Sequence, residues 1–392
     1  MTQSNSKALI FILALLVIFC PLGIDLYLPA FVDMQTSLQV SESQIQQTVS
    51  IYMLAVGLGQ LIAGPLADKY GRKPVALVGI ILFALGAAMA STVSTWPLMM
   101  VARVLQGLGA CATFVSAFAI VRDSFGHKGS GQMITYLNGI VCFIPALAPI
   151  LGAWLTVEFG WQSNFSFLFG FAVVGLVLVS LIYKETRPED THYSGHILDL
   201  RRFKPMLSSS TFIYNAALAM LGMAAMLVFV ISAPGWIMAK MGGSVSDFTF
   251  WFTGNAVLSI VASFIAPHFI KRNSQKSLTF GLAVFSFSGL LLLALPQTEI
   301  AHFVLPMYMA SVGFAFTIGA AAGKALSGFA KQAGTASALI GVLQMSGAGI
   351  LATMTQPLAL DAPMQLALHL LLALPFLLLL ATKHRHQLHS AA

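Results

Sequence analysis

Charged residues are scarce in this sequence of 392 residues. Lysine, arginine, aspartate and glutamate together make up 8% of the chain, whereas hydrophobic residues make up 58%. A soluble domain carries about 25% charged residues, so the composition excludes a cytosolic enzyme, a disordered chain and a nucleic-acid-binding protein. The 3 cysteines, Cys20, Cys111 and Cys142, lie inside apolar runs and indicate no disulfide framework.

Signatures of catalysis are also missing. The sequence contains no nucleotide-binding loop, HExxH motif or nucleophile elbow. ATP-driven pumping and hydrolysis therefore lack support, and we expect no enzymatic activity, no metal and no cofactor. The histidines of the C-terminal tail alternate with basic residues, which favours a positively charged tail over a metal site.

Long apolar segments predict an all-α polytopic membrane protein. A bilayer core of roughly 30 Å needs about 20 apolar residues per helix, and continuous apolar runs favour helices over a barrel of alternating strands. The predicted spans are about residues 8–28, 44–66, 75–93, 98–121, 132–156, 163–183, 211–238, 246–270, 277–296, 300–323, 333–357 and 363–382.

A polar stretch divides the predicted spans into two sets of six. We predict an N-terminal six-helix half over residues 1–183, a cytoplasmic linker over 184–210 and a C-terminal six-helix half with a cytoplasmic tail over 211–392. Spans 2 and 4 repeat as spans 8 and 10 at an offset of about 202 residues, as in transporters built from duplicated six-span units.

The basic residues predict the orientation in the membrane, because lysine and arginine are enriched on the cytoplasmic side. With the N-terminus inside, eighteen of the 20 basic residues fall on inner segments, and only Lys240 falls outside. The acidic residues show no such bias. The net charge of +7 is therefore a topological signal and not an anion-binding surface, and both termini are expected to be cytoplasmic.

The predicted loop between spans 2 and 3 has a specific residue order. It reads G-P-L-A-D-K-Y-G-R-K-P from Gly64 and includes Asp68, Gly71 and Arg72. Glycine permits a tight turn and close helix approach, aspartate can meet a helix N-terminus, and arginine can pair with a carboxylate. The positive-inside rule alone would explain the basic residues but not their order.

Asp25 in span 1 and Arg103 in span 4 are charged residues that fall within the predicted spans. Arg103 shares one helical face with Gln106 and Gly107, and an arginine near mid-span should face protein or a watery cavity. Asp25 lies at a similar depth by helical rise. We predict that the two residues face one cavity, with Asp25 as the proton site and Arg103 changing its proton affinity. A static buried ion pair is the alternative.

Span 5 contains two prolines and several glycines, which permit bending and close packing. The string P-A-L-A-P-I-L-G contains Pro145, Pro149 and Gly152. A kinked helix without further function is the alternative.

These motifs resemble the major facilitator superfamily. The loop after span 2 is similar to the superfamily's signature loop, which latches the cytoplasmic side in the outward-facing state. The resemblance implies that Asp123, at the end of span 4, pairs with Arg72, although a surface ion pair is an alternative. The string R-x-x-Q-G-x-G, which begins at Arg103, resembles a fourth-span motif of proton-coupled members. The expected fold has twelve helices in two six-helix halves.

The span 5 string departs from the commoner antiporter pattern G-P-x-x-G-G and resembles the bicyclomycin/chloramphenicol-resistance (Bcr/CflA) and MdtL-like subgroup. Three further strings agree: G-I-D-L-Y-L-P in span 1, F-A-I-V-R-D after span 4 and K-E-T-R-P after span 6. The resemblance covers most of the chain and is thin through residues 211–330.

This resemblance implies a proton-coupled multidrug exporter of the inner membrane that is driven by the proton gradient without a cofactor. Its expected partners are drugs, protons and the lipid bilayer, with no nucleic acid, and a monomer is expected. Aromatic and polar residues within the spans are candidates for the substrate cavity, with helix packing as the alternative for each. They are Tyr27, Tyr52, Gln106, Tyr136, Asn138, Phe143, Phe229, Trp236 and Gln344.

Two other functions remain open from the sequence. A metabolite exporter or importer could have the same fold, although its site would be expected to contain more polar groups than this largely apolar chain offers. A channel or a receptor that does not transport is the third possibility, which the loop and span 4 motifs oppose.

Overall fold

The computed structural model describes residues 3–188, 199–329 and 332–380, and it describes the side chains within these ranges except at 3–6 and 127–128. The part of the predicted linker at 189–198 and the predicted tail beyond residue 380 lie outside the described residues. Within the described ranges every regular element is helical.

Among the described residues, twelve helices are long and apolar enough to cross a membrane, which confirms the predicted number of spans. They are Lys7–Leu38, Glu42–Tyr70, Arg72–Thr92, Trp96–Gly126, Gly129–Phe159, Gln162–Ile182, Ser210–Lys240, Val245–Arg272, Ser274–Ala294, Ile300–Ser327, Ala333–Leu358 and Ala362–Leu380, called spans 1 to 12 below.

The chain divides into two compact units, Met1–Leu200 and Arg201–Ala392. The boundary between them lies within residues 184–210, where we predict the linker. In the first unit, spans 1, 2 and 3 pack against the long helical segment that contains spans 4 and 5. In the second unit, span 10 packs against spans 7, 8 and 9.

The same local signal begins the second span of each unit. Ser41 accepts a hydrogen bond from the backbone of Gln44, whose side chain bonds back to the Ser41 backbone. Ser244 and Asp247 form the same reciprocal arrangement at the start of span 8. Such a capping box satisfies two backbone donors that a helix leaves unpaired. Its presence at equivalent places agrees with the predicted duplication.

Span 1 differs from its prediction, which ended the helix near residue 28. The helix Gln3–Asp25 is followed by a 3-10 turn at Leu28–Ala30 and a further helix at Phe31–Leu38. Pro29 does not end the span because it lies at the start of the 3-10 turn, where its missing N–H is not needed. Asp25 is therefore at a break in the span and not inside a continuous helix.

Candidate functional site

Arg103 of span 4 holds the broken region of span 1. Its Nη2 atom donates to the carbonyl oxygen of Gly23 at 2.8 Å, and its Nε atom donates to the carbonyl of Thr48 in span 2 at 3.2 Å. Its Nη1 atom donates to Oε1 of Gln106 at 2.6 Å. One guanidinium group therefore ties three spans together through three different acceptors.

Two aromatic rings complete the surroundings of Arg103, whose side chain is 0% exposed. The guanidinium carbon lies 4.6 Å from the ring centroid of Tyr27 and 4.4 Å from that of Tyr52, which are cation–π distances. The Tyr27 hydroxyl bonds to that of Thr48 at 2.8 Å, and the Tyr52 hydroxyl donates to the Cys20 carbonyl at 2.9 Å. The buried cation is thus stabilised by neutral groups.

This shell corrects part of the predicted substrate cavity. Tyr27, Tyr52 and Gln106 are each 0% exposed. In this conformation they form a closed core around Arg103 and do not present a surface to a substrate, because each contacts or flanks the buried guanidinium.

Asp25 is buried, with 5% of its surface exposed. Among the described residues its carboxyl group has no hydrogen bond and no ion pair, so this structure contains no static pair of Asp25 with Arg103. The two residues are instead connected through the backbone, because Arg103 binds the carbonyl of Gly23 two residues before Asp25. Burying an unpaired carboxylate is costly, whereas a protonated carboxyl has no net charge, so these surroundings suit a group that gains and loses a proton.

Span 5 passes directly over the break in span 1. A side-chain carbon placed on Gly152 would lie 1.7 Å from the carbonyl oxygen of Leu26, next to Asp25. Thr156 donates to the Gly152 carbonyl at 2.7 Å, and Asn164 of span 6 donates to the Thr156 hydroxyl at 2.8 Å. The proline- and glycine-containing string of span 5 therefore has a defined place, against the break.

A substitution in span 5 tests this contact. Gly152→Ala is expected to lower stability by about 1–3 kcal/mol, because the added carbon overlaps backbone that a rotamer change does not move. Gly139→Ala is the matched control, since nothing lies within 4 Å of its added carbon and alanine favours the helix by up to about 1 kcal/mol. Thermal melting of both purified variants at one scan rate measures the difference. Equal melting temperatures would show that Leu26 does not constrain span 5.

The predicted ion pair joins the start of span 3 to the end of span 4. The Arg72 Nε atom lies 2.8 Å from Oδ2 of Asp123, and its Nη1 atom lies 2.8 Å from Oδ1 of Asp68. The Asp123 side chain is 12% exposed and that of Asp68 is 46% exposed. Because solvent weakens exposed pairs, the contact with Asp123 is the stronger of the two.

The two glycines of this loop motif differ. Gly71 has φ +109°, a conformation that side chains rarely adopt, and it forms the tight turn before span 3. Gly64 lies within the continuous helix of span 2, and nothing lies within 4 Å of a side-chain carbon placed there. The prediction that Gly64 permits a turn or close packing is therefore wrong for this conformation.

The other candidates for the substrate cavity lie in different places. Tyr136, Asn138 and Phe143 are exposed on span 5. In the second unit, Phe229 is buried and stacks on Phe252 at 5.8 Å between ring centroids, with an interplanar angle of 6°. Trp236 and Gln344 are half-buried. Phe229 therefore packs within its own unit, whereas the three span 5 residues are accessible.

Sequence reasoning missed Thr48 and Asn164. Both are polar residues within apolar spans, which is the signal that could have identified them. Within the described ranges, no group of three or more histidine, cysteine, aspartate or glutamate residues is arranged to hold a metal ion.

Comparisons with known proteins agree with this architecture. A sequence model of the Major Facilitator Superfamily matches residues 13–352. The Multidrug resistance protein MdtL of Shewanella oneidensis is 32% identical over 333 residues, which cover 84% of each chain. Its namesake in Salmonella paratyphi C is 33% identical over 339 residues, covering 86% of this chain and 84% of that one. The crystal structure of a D-xylose-proton symporter has a TM-score of 0.75 at 13% identity, covering 95% of this chain and 97% of that one.

Proposed function

The chain belongs to the major facilitator superfamily, and on this basis we propose that it exports amphipathic drugs, such as chloramphenicol-type antibiotics, in exchange for protons. The names of the MdtL relatives support drugs as the substrate class. The twelve spans make the chain a multi-pass membrane protein. The proposed location is the inner membrane, with both termini in the cytoplasm, as the distribution of basic residues predicts.

The observation that carries the proposal is the environment of Asp25. It is a buried carboxyl without a hydrogen bond or ion pair among the described residues, and it lies at a break in span 1. A proton-coupled exporter needs a group whose protonation competes with substrate binding, so that neither proton nor drug crosses alone. Asp25 is the acid suited to this role, and Arg103 holds the backbone beside it.

The proposed cycle alternates access between the two sides of the membrane. Protons that enter the cell supply ~2.3 kcal/mol per charge for each 100 mV of membrane potential, so export needs no nucleotide or other cofactor. The cluster of Arg72 with Asp68 and Asp123 acts as the cytoplasmic gate. The working unit is a monomer.

Everted membrane vesicles provide the test. Respiration acidifies their interior, and a fluorescent dye reports the pH gradient. An exporter of this kind releases luminal protons when an amphipathic drug is added outside, because the drug enters as protons leave. Vesicles without the protein are the control. No proton release with any member of a broad drug panel would contradict drug export and favour a metabolite as substrate.

A further inference from the structure

The segment K-E-T-R-P, which follows span 6, lies against the turn at Gly71 between spans 2 and 3, called the gate loop below. Both carboxylate oxygens of Glu185 accept backbone hydrogen bonds from the first residues of span 3, from Arg72 at 3.0 Å and from Lys73 at 2.9 Å. The first N–H groups of a helix have no partner within the helix, and negative charge is favoured at this end. Glu185 therefore stabilises the start of span 3 from a segment distant in sequence.

Arg187 makes the complementary contact at the other side of the turn. Its Nη1 atom donates to the carbonyl oxygens of Asp68, at 3.3 Å, and Lys69. These carbonyls belong to the last turn of span 2, where a cation is favoured. Glu185 thus binds the start of span 3 and Arg187 binds the end of span 2, the two helix ends that meet at the gate loop.

The shape of the turn is matched to the Glu185 carboxylate. A side-chain carbon placed on Gly71 would lie 2.5 Å from Oε2 of Glu185, so the carboxylate occupies the space beside this glycine. The backbone N–H groups of Thr186 and Arg187 also donate to Glu185, each at 2.9 Å. The carboxylate thereby fixes its own segment as well as span 3.

The ionised state of Glu185 favours this contact at neutral pH. Burial raises the pKa of Glu185, but hydrogen bonds from four backbone N–H groups outweigh that effect and hold the pKa below its usual 4.5. A carboxyl with a lowered pKa stabilises the folded state above its unfolded pKa and loses that contribution as the pH falls through its folded pKa. The contact is therefore present throughout the physiological range and does not act as a pH switch there.

We propose that Glu185 is a positioning residue of the gate, which holds the first turn of span 3 so that Arg72 meets Asp68 and Asp123. Arg72 is held at two points, because its backbone N–H binds Glu185 and its side chain binds Asp123. Loss of the Glu185 contact frees the helix end that sets the position of the guanidinium. The inference rests on the proposed function, since a gate matters only if the protein alternates between two states.

Amide hydrogen exchange tests the contact between Glu185 and the start of span 3, and it does so independently of transport activity. Purified Glu185→Gln is expected to exchange the amides of Arg72 and Lys73 about tenfold faster than the wild type, because a neutral amide replaces charge-assisted acceptors. Glu158→Gln is the matched control, since Glu158 is exposed and lies at the far end of span 5. Glu185→Asp, which keeps the charge on a shorter side chain, is expected to restore part of the protection. If Glu185→Gln fails to accumulate, Glu185→Asp still reports faster exchange.

The same variants test the effect on transport. Glu185→Gln is expected to lower the maximal rate of drug-evoked proton release about tenfold with an unchanged KM for the drug, because the hydrogen bonds of Glu185 involve none of the predicted substrate-cavity residues. Unchanged exchange at Arg72 and Lys73 would overturn the contact, and faster exchange with an unchanged maximal rate would overturn the positioning role. A wild-type protein without drug-evoked proton release would instead contradict the proposed function, and the exchange experiment would still decide whether Glu185 holds span 3.

Discussion

Replacing Asp25 with asparagine is expected to abolish drug-evoked proton release while the protein still exchanges drug for drug. Asparagine has nearly the same size as aspartic acid, so the packing around the break in span 1 is retained. It neither gains nor loses a proton, and the competition between proton and drug therefore ends. Because Asp25 makes no hydrogen bond or ion pair among the described residues, its replacement leaves no described partner unsatisfied.

The measurement combines two assays on one vesicle preparation. Dye fluorescence reports proton release, and radiolabelled chloramphenicol in both compartments reports exchange without net transport. Asp33→Asn is the matched control, because Asp33 lies in the same span but is exposed. Wild-type proton release by the Asp25→Asn protein would remove Asp25 from the mechanism.

Replacing Arg103 with alanine is expected to have a larger effect on the protein itself. The change removes the donors that Arg103 supplies to the carbonyls of Gly23 and Thr48 and to the amide oxygen of Gln106. A hydrogen bond to a charged group contributes about 1.5–3 kcal/mol, and the three bonds are not independent. We expect a loss of at least about 3 kcal/mol, little folded protein in the membrane and no transport.

Arg103→Lys separates charge from geometry. Lysine keeps the positive charge, but its single ammonium group does not reproduce the planar fork that reaches acceptors on three spans. We expect transport to fall at least about tenfold in Arg103→Lys, with a lowered melting temperature. Arg122→Ala on the same helix is the control, because Arg122 is exposed, and it should transport normally. Full activity of Arg103→Lys would show that charge alone is required.

The family and the spans could be predicted because they depend on local properties of the sequence. Apolar length identifies each span, and the residue order around Asp68 and Arg72 identifies the gate loop. The pairing of Arg72 with Asp123 could also be predicted, because the family motif implies it and both residues lie at helix ends on one side of the unit.

The details around Asp25 could not be predicted from local properties. The break in span 1 depends on contacts from other spans, since Arg103 binds the Gly23 carbonyl and Gly152 allows span 5 to approach Leu26. The burial of Tyr27 and Tyr52 has the same origin, because aromatic residues within a span are equally suited to a substrate or to a buried cation. The contact of Glu185 with span 3 could not be predicted either, because Glu185 lies more than a hundred residues from Arg72 in the chain.

Proton release on drug binding to the purified protein tests the central claim most directly. Binding is followed in weakly buffered detergent solution while a pH indicator counts the protons that appear. If protonation of Asp25 and drug binding compete, linkage requires that wild-type protein release protons in proportion to the drug bound, and that Asp25→Asn bind the drug and release none. Drug binding to the wild type without proton release, or equal release from Asp25→Asn, would contradict the account.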